Sequence, residues 1–234
     1  MKASEFEFRH RALINLVQIW LAFQVYVFDH SNIVWWLCPW STPRGALWAR
    51  FAFSFAALLV GGAAVIRTWA AAYLGSDIVH DLTLHTESLV ADGPYRHVRN
   101  PLYLGSFLLS IGLGFLASRM GFFILVVGGS ARILRLIGRE EEDLERKQGE
   151  RFREFARRVP RLLPSISPRV PAGGLAPHWG NAFRAEAPMW GFFVTMIAFT
   201  ISLRDSVAWT LGLASLVLWL TLRAGERRRN RAKA

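Results

Sequence analysis

Six long apolar stretches separated by polar segments are the feature that most restricts the fold of this chain. A helix needs about 20 residues to cross the hydrocarbon core of a membrane, and several of the six are near the short end of the range of about 17–25. Lipid leaves no partner for free backbone groups, so the expected form is helical. The sequence therefore predicts an all-α, polytopic membrane helical bundle of about six transmembrane helices. The stretches are Ala12–Phe28, Leu47–Leu74, Leu102–Ala117, Met120–Ile137, Ala187–Leu203 and Val207–Leu222.

The composition agrees with a membrane protein. Apolar residues make up 53% of the 234 residues and charged residues 19%, and there are 10 Trp and 17 Phe. A soluble domain of this size exposes more charge and does not bury so many aromatic rings. A disordered chain and an ordinary cytosolic enzyme are therefore excluded. Cys38, the single cysteine, excludes an intrachain disulfide.

The 28 Lys and Arg residues, which give a net charge of +11, are distributed unevenly between the two sides of such a bundle. One side carries only Arg44, Arg50, Arg119 and Arg204, and the other carries nearly all the rest. The positive-inside rule then predicts a multi-pass integral membrane protein with both termini and the active site in the cytoplasm. Membrane lipids are the expected partners of the basic residues, and nucleic-acid binding is not predicted.

Two cytoplasmic segments, 75–101 and 138–186, hold most of the polar residues that chemistry requires. Because the third and fourth stretches form a tight hairpin, these segments are expected to emerge side by side and to share one pocket. The first segment includes a turn, Gly93-Pro94, and an expected helix start at Asn100-Pro101. It also concentrates Tyr95, Arg96, His97, Arg99 and Tyr103, residues suited to an anionic group or a flat heterocycle at a helix N-terminus.

The second segment opens with an acidic group, Glu140 to Asp143, in otherwise basic surroundings. It is either the solvated start of an amphipathic helix or a set of carboxylates for a cationic amine, a ribose or a sulfonium. Farther on, Phe152, Phe155 and Val159 form one apolar stripe on a very basic helix. Such a helix is expected to lie on the membrane surface and to close the pocket.

Together these motifs resemble the isoprenylcysteine carboxyl methyltransferase and phospholipid methyltransferase superfamily. The family pattern is Gly-x-Tyr-x-x-x-Arg-His-Pro-x-Tyr-x-Gly, then a Glu-Glu pair, then Phe-Gly-x-x-Tyr-x-x-Tyr-x-x-x-Val-Pro-Arg-x-x-Pro. The chain is similar from about Leu89 to Pro164. It departs from the pattern at Asn100, where the family has His, and at Phe152 and Phe155, where it has Tyr. Gln148 also replaces the usual Phe.

The resemblance implies a membrane enzyme that transfers a methyl group from S-adenosyl-L-methionine to a lipophilic acceptor, and it adds a cytoplasmic cofactor pocket to the predicted bundle. The positions that match the motifs imply a cofactor site, and His97 of the first motif is included in it. The members of this site are Val90, Tyr95, His97, Arg99, Asn100, Tyr103, Glu140 and Glu141. Glu142 remains an alternative register for the glutamate pair. The expected catalytic residues are Glu141, Arg157 and Arg158. For an amine acceptor, the candidate bases are Glu140, Glu141 and His97. For a carboxylate acceptor, Arg157 or Arg158 would position the carboxylate.

The acceptor stays open at this level. The chain is most like an isoprenylcysteine carboxyl O-methyltransferase with a prenylcysteine-like acceptor. The alternatives are a phospholipid amine N-methyltransferase and a small-thiol S-methyltransferase. A non-catalytic membrane scaffold and a reductase that binds a nicotinamide cofactor are the alternatives outside this chemistry.

The sequence suggests four regions: residues 1–88 with two transmembrane helices and a loop, 89–164 as the methyltransferase core, 165–186 as a linker, and 187–234 as an additional hairpin with a basic tail.

Arg67 lies inside the second stretch and is expected either to snorkel or to pair with a buried acid. No metal site is predicted, because the spacing of the loop candidates favours a solvated loop. Those candidates are Asp77, His80, Asp81 and His85.

Overall fold

The computed structural model describes residues 2–37, 42–74 and 91–204, together with 206–207, 210–215, 217 and 221. The ordered elements of this part of the chain are helices, and no β-strand occurs in it, which confirms the all-α class. The helices are α1 (Glu5–Arg9), α2 (Arg11–Gln24), α3 (Ile33–Leu37), α4 (Pro43–Leu74), α5 (Pro101–Gly114), α6 (Arg119–Gln148), α7 (Glu150–Arg158), α8 (Trp179–Ala185) and α9 (Ala187–Ser202).

Two of these helices are long and apolar enough to cross a membrane. They are α4 and α6, and α8 with α9 makes a third candidate if the pair, bent by 62°, crosses as one span. α2 and α5 are apolar but shorter; α5 has 14 residues, which at about 1.5 Å each is about 21 Å. The prediction of about six spans is therefore not confirmed. Pro101 and the turn after Gly114 limit α5, and 7 of the 16 residues of the sixth stretch lie outside the described residues.

Close helix packing of α4 against α5 forms the centre of the bundle. Gly112 of α5 faces α4, where an added Cβ would lie 2.5 Å from Val60 Cγ2 and 3.0 Å from the Ala56 carbonyl oxygen. Ala56 and Val60 are fully buried in the largest apolar cluster, which also includes Met196 of α9. Small residues are what permit such an approach between membrane helices. Gly112 therefore has a packing role in the structure.

We expect Gly112→Leu to lower the thermal unfolding midpoint of the purified protein by several degrees, because the new side chain would clash with the backbone of α4 and push that helix away. Overpacking of this kind costs about 1–3 kcal/mol and sometimes more. Gly62→Ala in α4 is the matched control, since its Cβ would meet only Leu108 Cδ1 at 3.9 Å. Equal midpoints for the two variants, measured by a thiol-independent dye assay in detergent, would contradict the close packing.

Asn32 fixes the turn between α5 and α6 at one end of the bundle. Its side-chain amide donates to the carbonyl oxygens of Phe115 at 3.1 Å and Ala117 at 3.0 Å. Its Nδ2 also donates to the Tyr26 hydroxyl at 2.9 Å, and that hydroxyl donates to the Leu116 carbonyl at 2.7 Å. The turn therefore spans only residues 115–118, and the predicted hairpin of the third and fourth stretches is confirmed.

The opposite end, where α4 and α6 finish and α5 begins, is called the polar end below. There α7 packs its apolar stripe inward: Phe152, Phe155 and Val159 are buried in one cluster with Ala91, Leu144 and Val170 as neighbours. The expectation that this stripe faces the membrane is wrong, because the chain after α7 folds back and covers it.

That returning chain, residues 159–178, is called the strap. It has no regular secondary structure, as its prolines predict, but it is bound along residues 92–99 in antiparallel order. The bonded pairs are Pro160 with Arg99, Ser165 with His97, Arg169 with Arg96 and Gly173 with Asp92. Its last residue, His178, donates its backbone N–H to the Ala72 carbonyl of α4 at 2.7 Å. The strap thus closes the polar end before α8 begins.

Candidate functional site

Asn100 is the residue that joins the two polar segments. Pro101 opens α5 as predicted, but the Asn100 side chain makes no capping bond to that helix. Its Nδ2 instead donates to Glu141 Oε1 of α6 at 3.0 Å and to the Arg161 carbonyl of the strap at 3.0 Å. The Asn100 side-chain amide therefore contacts α6 and the strap at the same time. Its partners Glu141 and Arg161 lie 41 and 61 positions away in the sequence.

Glu141 is the centre of a charged group, the Glu141 cluster, formed with Arg99, Asn100 and Arg161. Its Oε2 lies 2.9 Å from Arg161 Nε and its Oε1 lies 3.5 Å from Arg99 Nε. Burial lowers the pKa of the Arg99 guanidinium, and the Glu141 charge opposes that shift. Arg99 Nε is buried and has no hydrogen-bond partner among the described residues. The cluster therefore holds two cations on one carboxylate, with one donor unused.

Glu140, the preceding residue, faces a different environment. It lies near the Tyr103 hydroxyl, and the Tyr103 ring packs against Ala3, Phe8 and Leu136. Nearby, burial raises the pKa of the Tyr95 phenol well above its ordinary value, and the Glu140 charge raises it further. The Tyr95 phenol therefore remains protonated near this carboxylate.

The segment before α2 is part of the site, which the sequence analysis missed. Lys2 pairs with Glu142 at 2.7 Å, and Glu7 pairs with Arg135 at 2.7 Å. The Ala3 backbone N–H donates to the Arg135 carbonyl at 3.1 Å. One sequence signal for this element existed: Ser4 and Glu7 form a reciprocal capping box that starts α1. The capping box does not predict which part of the chain α1 packs against.

A cleft of about 700 Å³ opens at the polar end between α6 and α7. This volume lies within the range of about 300–1,000 Å³ typical of small-molecule sites. Its lining combines carboxylates, cations and a buried aromatic ring: Lys2, Arg99, Gly138, Glu141, Glu142, Glu145, Phe152, Arg153, Ala156 and Arg157. A ligand with both an ammonium and a carboxylate therefore finds complementary charges there.

The structure distributes the predicted site residues over several positions. Arg99, Glu141 and Arg157 line the cleft. Asn100 lies behind it in the Glu141 cluster, and Tyr103 and Glu140 form the second carboxylate environment. Val90 lies outside the described residues, as do the loop candidates Asp77, His80, Asp81 and His85. In the described part of the chain, no group of three or more His, Cys, Asp or Glu is placed to hold a metal ion.

Three further predicted residues have identified partners. His97 Nδ1 lies 2.9 Å from the Ser165 carbonyl of the strap. Arg157 contacts Glu150, and Arg158 pairs with Glu154 at 2.6 Å on an exposed surface of α7. Arg158 is not among the residues that line the cleft, whereas Arg157 is.

We expect Tyr103→Phe to weaken the binding of S-adenosylhomocysteine severalfold, because the hydroxyl near the Glu140 carboxylate is lost while the packing of the ring persists. A polar interaction of this kind contributes about 1 kcal/mol, or about fivefold in affinity. Tyr26→Phe at the other end of the bundle is the matched control, and its affinity is expected to equal that of wild type. Equal affinities for wild type and Tyr103→Phe, measured by calorimetry, would contradict the role of this hydroxyl.

Comparison with known proteins gives a family match for the central part of the chain. Residues 51–151 match the model of the phospholipid methyltransferase family, which confirms the resemblance seen in the motifs. The matched range covers most of α4 and all of α5 and α6, and it includes Asn100, Tyr103, Glu140 and Glu141. No solved structure matches the chain.

Two curated relatives are similar. The nickel-cobalt-cadmium resistance protein NccN of Alcaligenes xylosoxydans xylosoxydans is 29% identical over 155 residues, which are 66% of this chain and 61% of the relative. The cobalt-zinc-cadmium resistance protein CzcN of Cupriavidus metallidurans is 26% identical over 209 residues, 89% of this chain and 81% of the relative. The chain therefore matches less than two thirds of the length of the first of these relatives.

Proposed function

We propose that this chain, whose residues 51–151 match the phospholipid methyltransferase family, is an integral membrane methyltransferase that uses S-adenosylmethionine. The observation that carries the proposal is the Glu141 cluster, in which Asn100, Glu141 and Arg161 of the three motif segments meet at one point. Positions far apart in sequence are thus assembled beside one cleft.

The residues at the cleft fit this cofactor. When bound, S-adenosylmethionine supplies an electrophilic methyl group on a positively charged sulfur. Glu142 and Glu145 offer carboxylates to its cationic groups, and the Arg99 guanidinium, which also lines the cleft, offers a positive charge to its carboxylate. Phe152, 5% exposed, supplies an apolar wall. The task of these side chains is to hold and orient the ligand, and positioning of this kind contributes about 7–11 kcal/mol to a transfer reaction.

The acceptor is proposed to be lipophilic and to enter from the membrane beside α6. For an amine acceptor, Glu140 is the proposed base, because Glu141 is held by Asn100 and Arg161 and His97 is held by the strap. For a carboxylate acceptor no base is needed, and Arg157 is the better placed cation, since it lines the cleft and Arg158 does not.

We also propose that the polar end lies in the cytoplasm. The argument is the distribution of Lys and Arg along the sequence, which favours that side by the positive-inside rule. Labelling of single cysteines introduced near Glu145 and near Met120 with an impermeant reagent in intact cells tests this. Protection near Glu145 and labelling near Met120 is the expected pattern, and the reverse would overturn the orientation.

The experiment that tests the activity is transfer of a radiolabelled methyl group from S-adenosylmethionine by protein reconstituted in vesicles. Three acceptors are compared: phosphatidylethanolamine, a farnesylated cysteine and a small thiol. We expect label in the organic phase with one of the lipophilic acceptors, and its loss in Glu141→Gln but not in Glu154→Gln. If folded wild-type protein neither transfers label nor binds the cofactor, the scaffold alternative replaces the enzyme.

The relatives' names suggest a physiological setting for the same reaction. Both are named for resistance to cobalt and cadmium, and we propose that methylation of a membrane acceptor contributes to metal tolerance here. A strain without this chain is expected to grow less well in cobalt or cadmium, and wild-type protein but not Glu141→Gln is expected to restore growth. Restoration by Glu141→Gln would separate tolerance from methyl transfer.

A further inference from the structure

A buried ion pair connects the α8–α9 region to the core of the bundle. Arg67 of α4 and Glu186, which lies between α8 and α9, form a bidentate contact, with Nε to Oε2 at 2.7 Å and Nη2 to Oε1 at 2.8 Å. The Glu186 side chain is 1% exposed and that of Arg67 is 16% exposed. Of the two alternatives open for Arg67 from the sequence, pairing with a buried acid is therefore confirmed.

The same guanidinium also binds the first turns of α5. Arg67 Nη1 donates to the Leu102 carbonyl at 3.1 Å and to Ser106 Oγ at 2.8 Å. Gly105 makes this approach possible, since an added Cβ would lie 2.3 Å from Arg67 Cγ. Arg67 thus lies across α5, with its Nη1 directed to α5 and its other edge directed to Glu186.

These turns of α5 carry the site. Asn100 directly precedes the helix and Tyr103 lies within its first turn, between the residues that Arg67 binds. A guanidinium that lost its carboxylate would be an uncompensated buried cation and would change its position. The bonds that hold Leu102 and Ser106 depend on that position, and the placement of Asn100 and Tyr103 depends on them in turn.

We infer that Glu186 is a positioning residue for the methyl-transfer site, acting through Arg67 on the start of α5. Its effect on cofactor binding rests on the proposed function, whereas its effect on α5 does not. Glu186 lies outside residues 51–151 that match the family and outside the 89–164 core expected from the motifs. The region after the strap is therefore part of the site's support.

A second bond between the same helices provides a control. Trp190 Nε1 of α9 donates to Thr68 Oγ1 of α4 at 3.0 Å. This bond links α9 to α4 next to Arg67, and neither residue belongs to α5. Trp190→Phe therefore removes one link of the α9 region to the core while the contacts of Arg67 remain.

The test combines the binding of S-adenosylhomocysteine, thermal unfolding and amide hydrogen exchange of residues 101–106 by mass spectrometry. Replacement of a buried ion pair by apolar residues is often neutral for stability, so Arg67→Met with Glu186→Met is expected to unfold near the wild-type temperature. We expect this double variant to bind about tenfold more weakly and to exchange the 101–106 amides at least tenfold faster. Ser106→Ala, the milder variant, is expected to change both quantities in the same direction by a smaller factor.

Trp190→Phe is expected to keep wild-type affinity and wild-type exchange in residues 101–106. The inference is overturned if the double variant and Ser106→Ala both show wild-type exchange there, or if Trp190→Phe raises that exchange as much as they do. If wild-type protein does not bind S-adenosylhomocysteine, the proposed function fails, and the exchange measurement still decides whether Glu186 positions α5. If the double variant does not fold, Glu186→Gln and Ser106→Ala carry the same comparison.

Discussion

Glu141→Gln is expected to reduce the affinity for S-adenosylhomocysteine at least tenfold and to abolish most methyl transfer. The carboxylate accepts a hydrogen bond from Asn100, forms an ion pair with Arg161 and faces Arg99. The amide keeps the shape but leaves two guanidinium groups without a counter-charge. Loss of hydrogen bonds to charged groups costs roughly 1.5–3 kcal/mol each, which corresponds to about tenfold or more in binding.

The control for this variant is Glu154→Gln, which removes the same charge from the exposed face of α7, where Glu154 pairs with Arg158. Surface ion pairs of this kind contribute about 0–1 kcal/mol, so wild-type affinity is expected. Both affinities are measured by calorimetry on protein in detergent. A Glu141→Gln variant that binds like Glu154→Gln would contradict a site built around the Glu141 cluster.

Asp92→Asn is expected to release the strap and to accelerate tryptic cleavage after Arg169 at least tenfold. The Asp92 carboxylate, 3% exposed, accepts backbone N–H bonds from Gly173 at 2.7 Å, Gly174 at 3.2 Å and Leu175 at 3.2 Å. In the variant an NH₂ group replaces one acceptor oxygen, and backbone N–H groups of the strap lose an acceptor. Each lost bond to the charge costs roughly 1.5–3 kcal/mol, and proteolysis follows the population of the opened state.

Asp29→Asn is the matched control for this experiment. Asp29 is also buried and accepts a backbone N–H, from Met120 at 2.9 Å, and it pairs with Arg119 at the other end of the bundle. Cleavage after Arg169 is expected to stay at the wild-type rate in that variant. Equal cleavage rates in Asp92→Asn and wild type, identified by mass spectrometry of the fragments, would show that the carboxylate does not hold the strap.

Sequence patterns were sufficient for the features that depend on local residues. Apolar length predicted α4 and α6, and Asn100-Pro101 predicted the start of α5. The motif order predicted that Asn100 and Glu141 share a site, because a hairpin brings its two ends together. The prediction of about six spans is not confirmed, since hydropathy does not record where a helix stops. Pro101 and the turn that Asn32 holds leave α5 with 14 residues.

Contacts between distant residues were not predictable in the same way. The period of Phe152 and Phe155 predicted an apolar face, but a period does not specify whether lipid or protein covers that face. The position of Arg67 in an apolar stretch indicated a buried acid as one of two possibilities. The sequence did not identify that acid, Glu186, because it lies 119 positions away. Lys2 and Phe8 lie at the site because α1 packs on α6. The capping residues Ser4 and Glu7 predict where α1 starts but not which helix it packs against.

The central claim is that the polar end binds S-adenosylmethionine, and a calorimetric titration of detergent-purified protein with S-adenosylhomocysteine tests it most directly. A parallel titration with NADPH tests the reductase alternative, and a melting curve establishes that the sample is folded. The account predicts micromolar binding of S-adenosylhomocysteine and no binding of NADPH. Folded protein that binds NADPH instead, or that binds neither compound, would contradict it.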